Sequence, residues 1–109
     1  MKKEIEKLDN HIIVCGAGET GLHVIKQLKR REVEFVVIEN DADAIETLKE
    51  MDIMYILDDA TKEEVLLDAR VKEAKGLIAC LAKDADNLFV VLTARELNAK
   101  MHIVARSNE

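Results

Sequence analysis

Short apolar, β-branched runs alternate along the chain with longer stretches whose apolar positions recur every three or four residues. His11-Ile12-Ile13-Val14-Cys15 is almost continuously apolar, the pattern of a strand covered on both faces. Leu22, Ile25 and Leu28 follow at helical spacing and end in Lys29-Arg30-Arg31, where positive charge suits the negative end of a helix dipole. The run Phe35-Val36-Val37-Ile38 predicts a second strand, and Glu39-Asn40-Asp41 offers caps for a helix whose inner face is Ile45, Leu48 and Met51. Ile53 to Leu57 reads as a third strand. Thr61 and Glu64 have the spacing of a capping box, opening a helix over Val65, Leu66 and Ala69. A fourth strand covers Gly76 to Leu81. Asp84 is the expected cap of a fourth helix with Leu88, Val91, Leu92 and Leu97 facing inward. A fifth strand covers His102 to Ala105.

Strict alternation of strand and helix is the signature of a parallel α/β sheet. Right-handed crossovers leave few arrangements, and the pattern predicts a Rossmann-like doubly wound sheet of five strands, order 3-2-1-4-5, with helices on both faces. A full doubly wound fold usually has a sixth strand, so the expectation is of a domain shortened before it.

Size and composition narrow the function. At 109 residues the chain is one domain, burying roughly two thirds of its unfolded surface. No apolar run reaches the roughly 18–20 residues that span a bilayer. The opening MKKEIEKLD lacks the apolar core of a signal peptide, which points to a cytoplasmic protein. Sixteen basic residues stand against 22 acidic ones, a net charge of −6. That balance argues against nucleic acid as a partner, because phosphate neutralisation needs a basic footprint. Tyr55, Phe35 and Phe89 are the only aromatic residues, too few for a base-stacking platform. Cys15 and Cys80 both lie inside apolar runs and read as reduced core thiols on neighbouring strands.

The chemistry-bearing motif is Gly16-Ala17-Gly18-Glu19-Thr20-Gly21, a G-x-G-x-x-G directly after a strand and opening a helix. The first glycine makes a tight turn, the second admits a pyrophosphate against the backbone, and the third packs helix on strand. Phosphates there meet the N–H groups at the positive end of the helix. Glu39 ends the second strand, 23 residues after Gly16, where an acid accepts hydrogen bonds from ribose hydroxyls. Its charge disfavours a 2′-phosphate, so NAD or an adenine nucleotide is expected over NADP. The competing reading makes Glu39 a solvated strand end or a helix cap. Asp58-Asp59-Ala60-Thr61 closes the third strand beside the same crevice. Asp59 faces the adenine or its ribose in one reading, and Asp58 and Asp59 merely lead into the next helix in the other. His11, His23 and His102 are dispersed, and no C-x-x-C or metal-ligand spacing occurs. No nucleophile-base pair is suggested, so a binding module is expected rather than an enzyme, with no metal. The alternative is a cofactor-binding fragment of an NAD-dependent dehydrogenase.

HIIVCGAGETG, VVIEND, ILDDAT and IVARSNE, standing in that order, resemble the N-terminal subdomain of RCK domains, also called KTN or TrkA-N. These are cytosolic regulators of prokaryotic potassium channels and transporters. The likeness covers residues 10–109, and residues 1–9 look like the linker from a membrane pore segment. The resemblance implies that Gly16, Ala17, Gly18, Glu19, Thr20 and Gly21 hold phosphates and Glu39 the adenosine ribose. It places Asp58, Asp59 and Ala60 near the adenosine, Leu81 and Ala82 against the ligand through backbone, and Arg106 on phosphate. Asp58 replaces a glycine usual in the family, adding negative charge beside the ligand. Some channel members bind calcium through acids after strands four and five. Here Cys80, Arg106 and Asn108 stand there, so no calcium site is expected. The implied ligand is NAD(H), with ATP, ADP or AMP as alternatives. The implied partners are a second copy, in a dimer or ring, and the pore domain of a potassium channel or transporter. The chain itself is not expected to insert in a membrane, and the localisation expected is cytoplasmic, membrane-associated in the full-length protein.

Overall fold

The computed structural model describes residues 1–106. Five parallel strands, β1 (Ile12–Cys15), β2 (Phe35–Glu39), β3 (Tyr55–Leu57), β4 (Gly76–Ala79) and β5 (His102–Ala105), form one sheet. Their order is β3-β2-β1-β4-β5, as the alternating pattern predicts. Helices α1 (Lys2–Ile5), α2 (Glu19–Arg30), α3 (Ala42–Glu50), α4 (Glu63–Asp68) and α5 (Asp84–Leu97) accompany them, with a short 3-10 turn at Val71–Glu73.

The continuous apolar runs are explained by two cores, one on each face. Val14, Phe35 and Val37 pack with Ile25, Ile45 and Leu48 under α2 and α3. Their strand neighbours Ile13, Cys15, Val36 and Ile38 point to the other face, against Val65, Leu66, Val90 and Ala94 of α4 and α5. Side chains alternate across a strand, so only an unbroken apolar run fills both faces. Each fully buried Leu, Ile or Val contributes about 1.5–3 kcal/mol of transfer free energy.

Five local expectations are corrected. β3 starts at Tyr55 rather than Ile53, and β4 stops at Ala79 rather than Leu81. Thr61 does not cap α4. The cap position is Lys62, and the Thr61 hydroxyl donates to the Asp59 carboxylate at 2.7 Å. Asp84 is inside α5, whose cap position is Lys83. Leu88 and Leu92 do not face the core, being 59% and 61% exposed, while Asn87, Val90 and Ala94 are the buried residues. The apolar positions of α5 surround most of the helix, so periodicity alone chooses its inner face poorly.

Residues 1–11 are tied to the amino ends of the strands. Ile5 and Leu8 join the α4–α5 core. The Leu8 carbonyl accepts from Arg70 Nε at 2.6 Å, and the Asn10 N–H donates to the Glu73 carbonyl at 2.8 Å. His11 is buried, with Nε2 2.8 Å from the Ala69 carbonyl.

Candidate functional site: a cleft at the carboxyl ends of the strands

In an open parallel sheet the chain reverses direction between β1 and β4, and the crevice lies beyond the carboxyl ends of the strands. A cleft of about 390 Å³ occupies that place. Gly16, Gly18, Glu39, Asp58, Asp59, Ala60, Leu81, Ala82 and Arg106 line it, together with Asn40, Cys80, Lys83 and Asp86. A larger depression of about 480 Å³ sits at the opposite, amino ends, among Met1, Lys29, Glu32 and Asp52. That end lacks the glycine turn, and the only helix start beside it is that of the four-residue α1.

Two contacts fix the glycine turn. Gly16 has φ +103°, and a Cβ there would stand 2.5 Å from the Cys80 carbonyl oxygen, so the turn demands glycine twice over. A Cβ on Gly21 would lie 2.1 Å from the Gly16 carbonyl oxygen, which shows how closely α2 is set on the turn. Gly18 differs. Its backbone is extended (φ −75°, ψ −161°), and a Cβ there would have nothing within 4 Å. Space is therefore left in front of Gly18 by the protein itself. No side chain bonds across the N-terminus of α2, so its N–H groups and the helix dipole are available to an anion.

Glu39 is built into this turn. One carboxylate oxygen accepts the Ala17 N–H at 2.6 Å, and the other accepts the N–H groups of Asn40 at 3.0 Å and Asp41 at 2.9 Å. The helix-cap alternative for this segment is taken by Asp41 instead, whose side chain accepts from the Ala44 N–H. Asp59 is likewise oriented. Its carboxylate accepts both the Thr61 N–H (2.9 Å) and the Thr61 hydroxyl (2.7 Å), which hold its pKa below the usual carboxylate range. Asp58 caps its neighbour's N–H at 2.7 Å and pairs with Lys62 at 3.5 Å.

Four carboxylates (Glu39, Asp58, Asp59, Asp86) and two cations (Lys83, Arg106) border the cleft. Burial raises the pKa of the Cys80 thiol, opposed by the nearby Arg106 guanidinium. Cys15 is fully buried on β1 and burial pushes its thiol up to about 12, as expected of an inert core residue.

Most predicted residues are brought together. Ala17 and Gly21 form the wall behind the cleft rather than its surface, Ala17 through the N–H that Glu39 accepts. Glu19 and Thr20 line a separate depression with Leu22, His23 and Lys26 and are not part of the cleft lining. Asn40, Cys80, Lys83 and Asp86 were not predicted. The signal for Lys83 was present, because the residue before a helix that follows a strand's carboxyl end stands at the crevice. Asn108 lies outside the described residues. Among those described, no group of three His, Cys, Asp or Glu side chains could hold a metal ion, and no helix is long and apolar enough to cross a membrane.

Sheet order, glycine turn and the acid closing β2 define a Rossmann-like domain of the doubly wound class. Within that class the chain belongs to the TrkA-N domain family, whose model matches residues 12–109. It is 37% identical over its whole length to "Potassium channel protein 1" of Methanocaldococcus jannaschii, and spans 33% of that protein. The TrkA-N domain of the inner membrane protein ybaL from Escherichia coli superposes with a TM-score of 0.88 at 27% identity, covering 94% of this chain and 76% of that one. The GsuK channel bound to NAD superposes with a TM-score of 0.80 at 30% identity, covering 92% of this chain and 18% of that one. GsuK bound to ADP gives a TM-score of 0.78 at 29% identity, covering 92% and 26%.

Proposed function

We propose that this chain is a nucleotide-sensing regulatory domain of a potassium channel or transporter, and that NAD(H) or an adenine nucleotide occupies the cleft. The observation that carries this reading is the pairing of Glu39 with the glycine turn. A carboxylate is fixed 2.6 Å from the Ala17 N–H, beside open space at Gly18 and an uncapped helix end. Phosphates meet the N–H groups of the turn and of Gly18, Glu19 and Thr20, with Lys83 and Arg106 as cations. Glu39 accepts the ribose hydroxyls with the lone pairs its backbone bonds leave. Asp58, Asp59 and Ala60 flank the adenosine on one side, and Leu81 and Ala82 on the other. The Glu39 charge disfavours a 2′-phosphate, which favours NAD over NADP and leaves ATP, ADP and AMP as the other candidates.

The NAD- and ADP-bound states of GsuK and the channel identity of the M. jannaschii relative support this reading. We read the domain as a binding module and not an enzyme. His11 is buried at the far end of the sheet from the cleft, and His23 and His102 lie outside its lining. Residues 1–9 act as the linker to a pore segment. Ile5 and Leu8 in the core, and the Leu8 carbonyl on Arg70, give that linker a firm hold on the domain.

Gating then works by differential affinity: a nucleotide shifts two arrangements of the assembled domains only by as much as it prefers one of them. The second copy packs on the outer face of α5, where Leu88, Phe89 and Leu92 are each more than half exposed. The site is tested by isothermal titration with ADP and NAD against wild type and Glu39→Ala. Saturable binding by the wild type and its loss in the variant are expected, and equal binding by both overturns the assignment of Glu39. Assembly is tested by light scattering. Wild type associates and Leu92→Lys stays monomeric, whereas a wild type that is monomeric at high concentration refutes pairing through α5.

A further inference from the structure

Asn87 is the one buried polar residue on the inner face of α5, 2% exposed between the cleft and an apolar core of Val90 and Ala94. A buried amide is costly unless its hydrogen-bonding groups are used. Here they are used mainly on one residue, Leu81. Asn87 Oδ1 accepts the Leu81 N–H at 2.8 Å, and Nδ2 donates to the Leu81 carbonyl at 3.0 Å. A longer contact of 3.5 Å runs from Nδ2 to the Arg106 carbonyl.

The geometry explains why an amide stands there. The sheet ladder ends just before this point: the Cys80 N–H still reaches the Cys15 carbonyl at 2.7 Å, and the Arg106 N–H the Ala79 carbonyl at 2.8 Å. Leu81 is the next residue, past the last rung. Asn87 reproduces a strand partner for it, offering one acceptor and one donor, and also reaches the backbone of Arg106 after β5. Leu81, Ala82, Lys83 and Arg106 are one wall of the cleft, and the Cys80 carbonyl just before them abuts Gly16. We infer that Asn87 is a positioning residue for nucleotide binding: without touching the ligand, its amide sets the wall formed by Leu81–Lys83 and Arg106 at the distance the nucleotide needs. This inference rests on the nucleotide reading of the cleft.

The test uses the whole chain and ADP and NAD as probes, by titration calorimetry at a temperature where circular dichroism shows each variant fully folded. Asn87→Ala and the isosteric Asn87→Asp are compared with Val90→Ala, which lies on the same buried face and makes no hydrogen bond to Leu81. Asn87→Asp keeps the acceptor for the Leu81 N–H but turns a carboxylate oxygen toward the Leu81 and Arg106 carbonyls. Its unchanged volume preserves a readout should Asn87→Ala fail to fold. Both Asn87 variants are expected to bind about tenfold more weakly or worse, with Val90→Ala binding like wild type despite a lower melting temperature. Amide exchange at Leu81 is expected to be slow in wild type and fast in Asn87→Ala, which removes the acceptor of its N–H. Wild-type affinity in a folded Asn87 variant overturns the inference, as does an equal loss of affinity in Val90→Ala, or unchanged Leu81 exchange in Asn87→Ala. A wild type that binds neither probe overturns the nucleotide reading itself, and the inference with it.

Discussion

Gly18→Val separates binding from folding, because the structure reserves space at Gly18 that the fold does not use. The backbone there is extended and compatible with any residue, and an added Cβ meets no atom within 4 Å. Valine is a poorer helix N-cap than glycine, which costs up to about 1 kcal/mol. Restricting the unfolded chain returns about 0.4–1 kcal/mol. The two nearly cancel, so the melting temperature of the free protein should move by no more than about 5 °C. Gly21→Ala is the opposite case. Its Cβ would sit 2.1 Å from the Gly16 carbonyl oxygen, a backbone atom that cannot turn aside. Forcing α2 away from β1 should cost at least about 1–3 kcal/mol. A wild-type domain at 100 times the Kd of its ligand gains about 2.7 kcal/mol, a rise of about 10 °C in a domain of this size. Thermal unfolding with and without ADP or NAD reads both quantities. Gly18→Val should melt like wild type and show no rise with nucleotide. Nucleotide stabilisation retained in Gly18→Val would refute the placement of phosphate at the turn. A large loss of stability in the free variant would refute the claim of unused space.

Three further outcomes follow from the same geometry. Glu39→Ala leaves the Ala17, Asn40 and Asp41 N–H groups without their acceptor, and should lower unfolding free energy by about 1–3 kcal/mol even without ligand, read by urea denaturation. Asp59 has a folded pKa below its unfolded value of 3.8 because Thr61 hydrogen-bonds its charged form. Its contribution is therefore present above about pH 4 and lost as pH falls through the folded value, so the stability difference between wild type and Asp59→Asn should be seen at pH 7 and shrink at pH 3. Cys15, with its thiol raised to about 12 by burial, should resist iodoacetamide at pH 8 in the folded protein and react on unfolding, read by mass spectrometry.

The sheet was legible because its strands are covered on both faces. Runs such as Ile12–Cys15 and Phe35–Ile38 have no polar break, and parallel crossovers leave little freedom of order. The glycine turn and Glu39 were legible because their spacing encodes a turn and a reach, and both come from contiguous segments. The inner face of α5 was not. Leu88, Phe89, Val91 and Leu92 offer apolar side chains around most of the helix, and the residue that turns inward with Val90 and Ala94 is Asn87. A polar residue is read as solvent-facing unless its partner is known, and that partner, Leu81, is brought to it only by the loop from β4. Thr61 misled in a similar way. Its capping-box spacing to Glu64 was real, but the Asp59 carboxylate two residues earlier competes for its hydroxyl and wins at 2.7 Å.

The central claim is that the cleft binds an adenosine-bearing nucleotide through the turn and Glu39. Thermal unfolding of the wild-type chain against NAD, NADH, ATP, ADP and AMP, with NADPH alongside, tests it most directly. A rise with NAD(H) or an adenine nucleotide, far smaller with NADPH, is the predicted result. An unchanged melting temperature with every nucleotide, or a preference for NADPH, would contradict it.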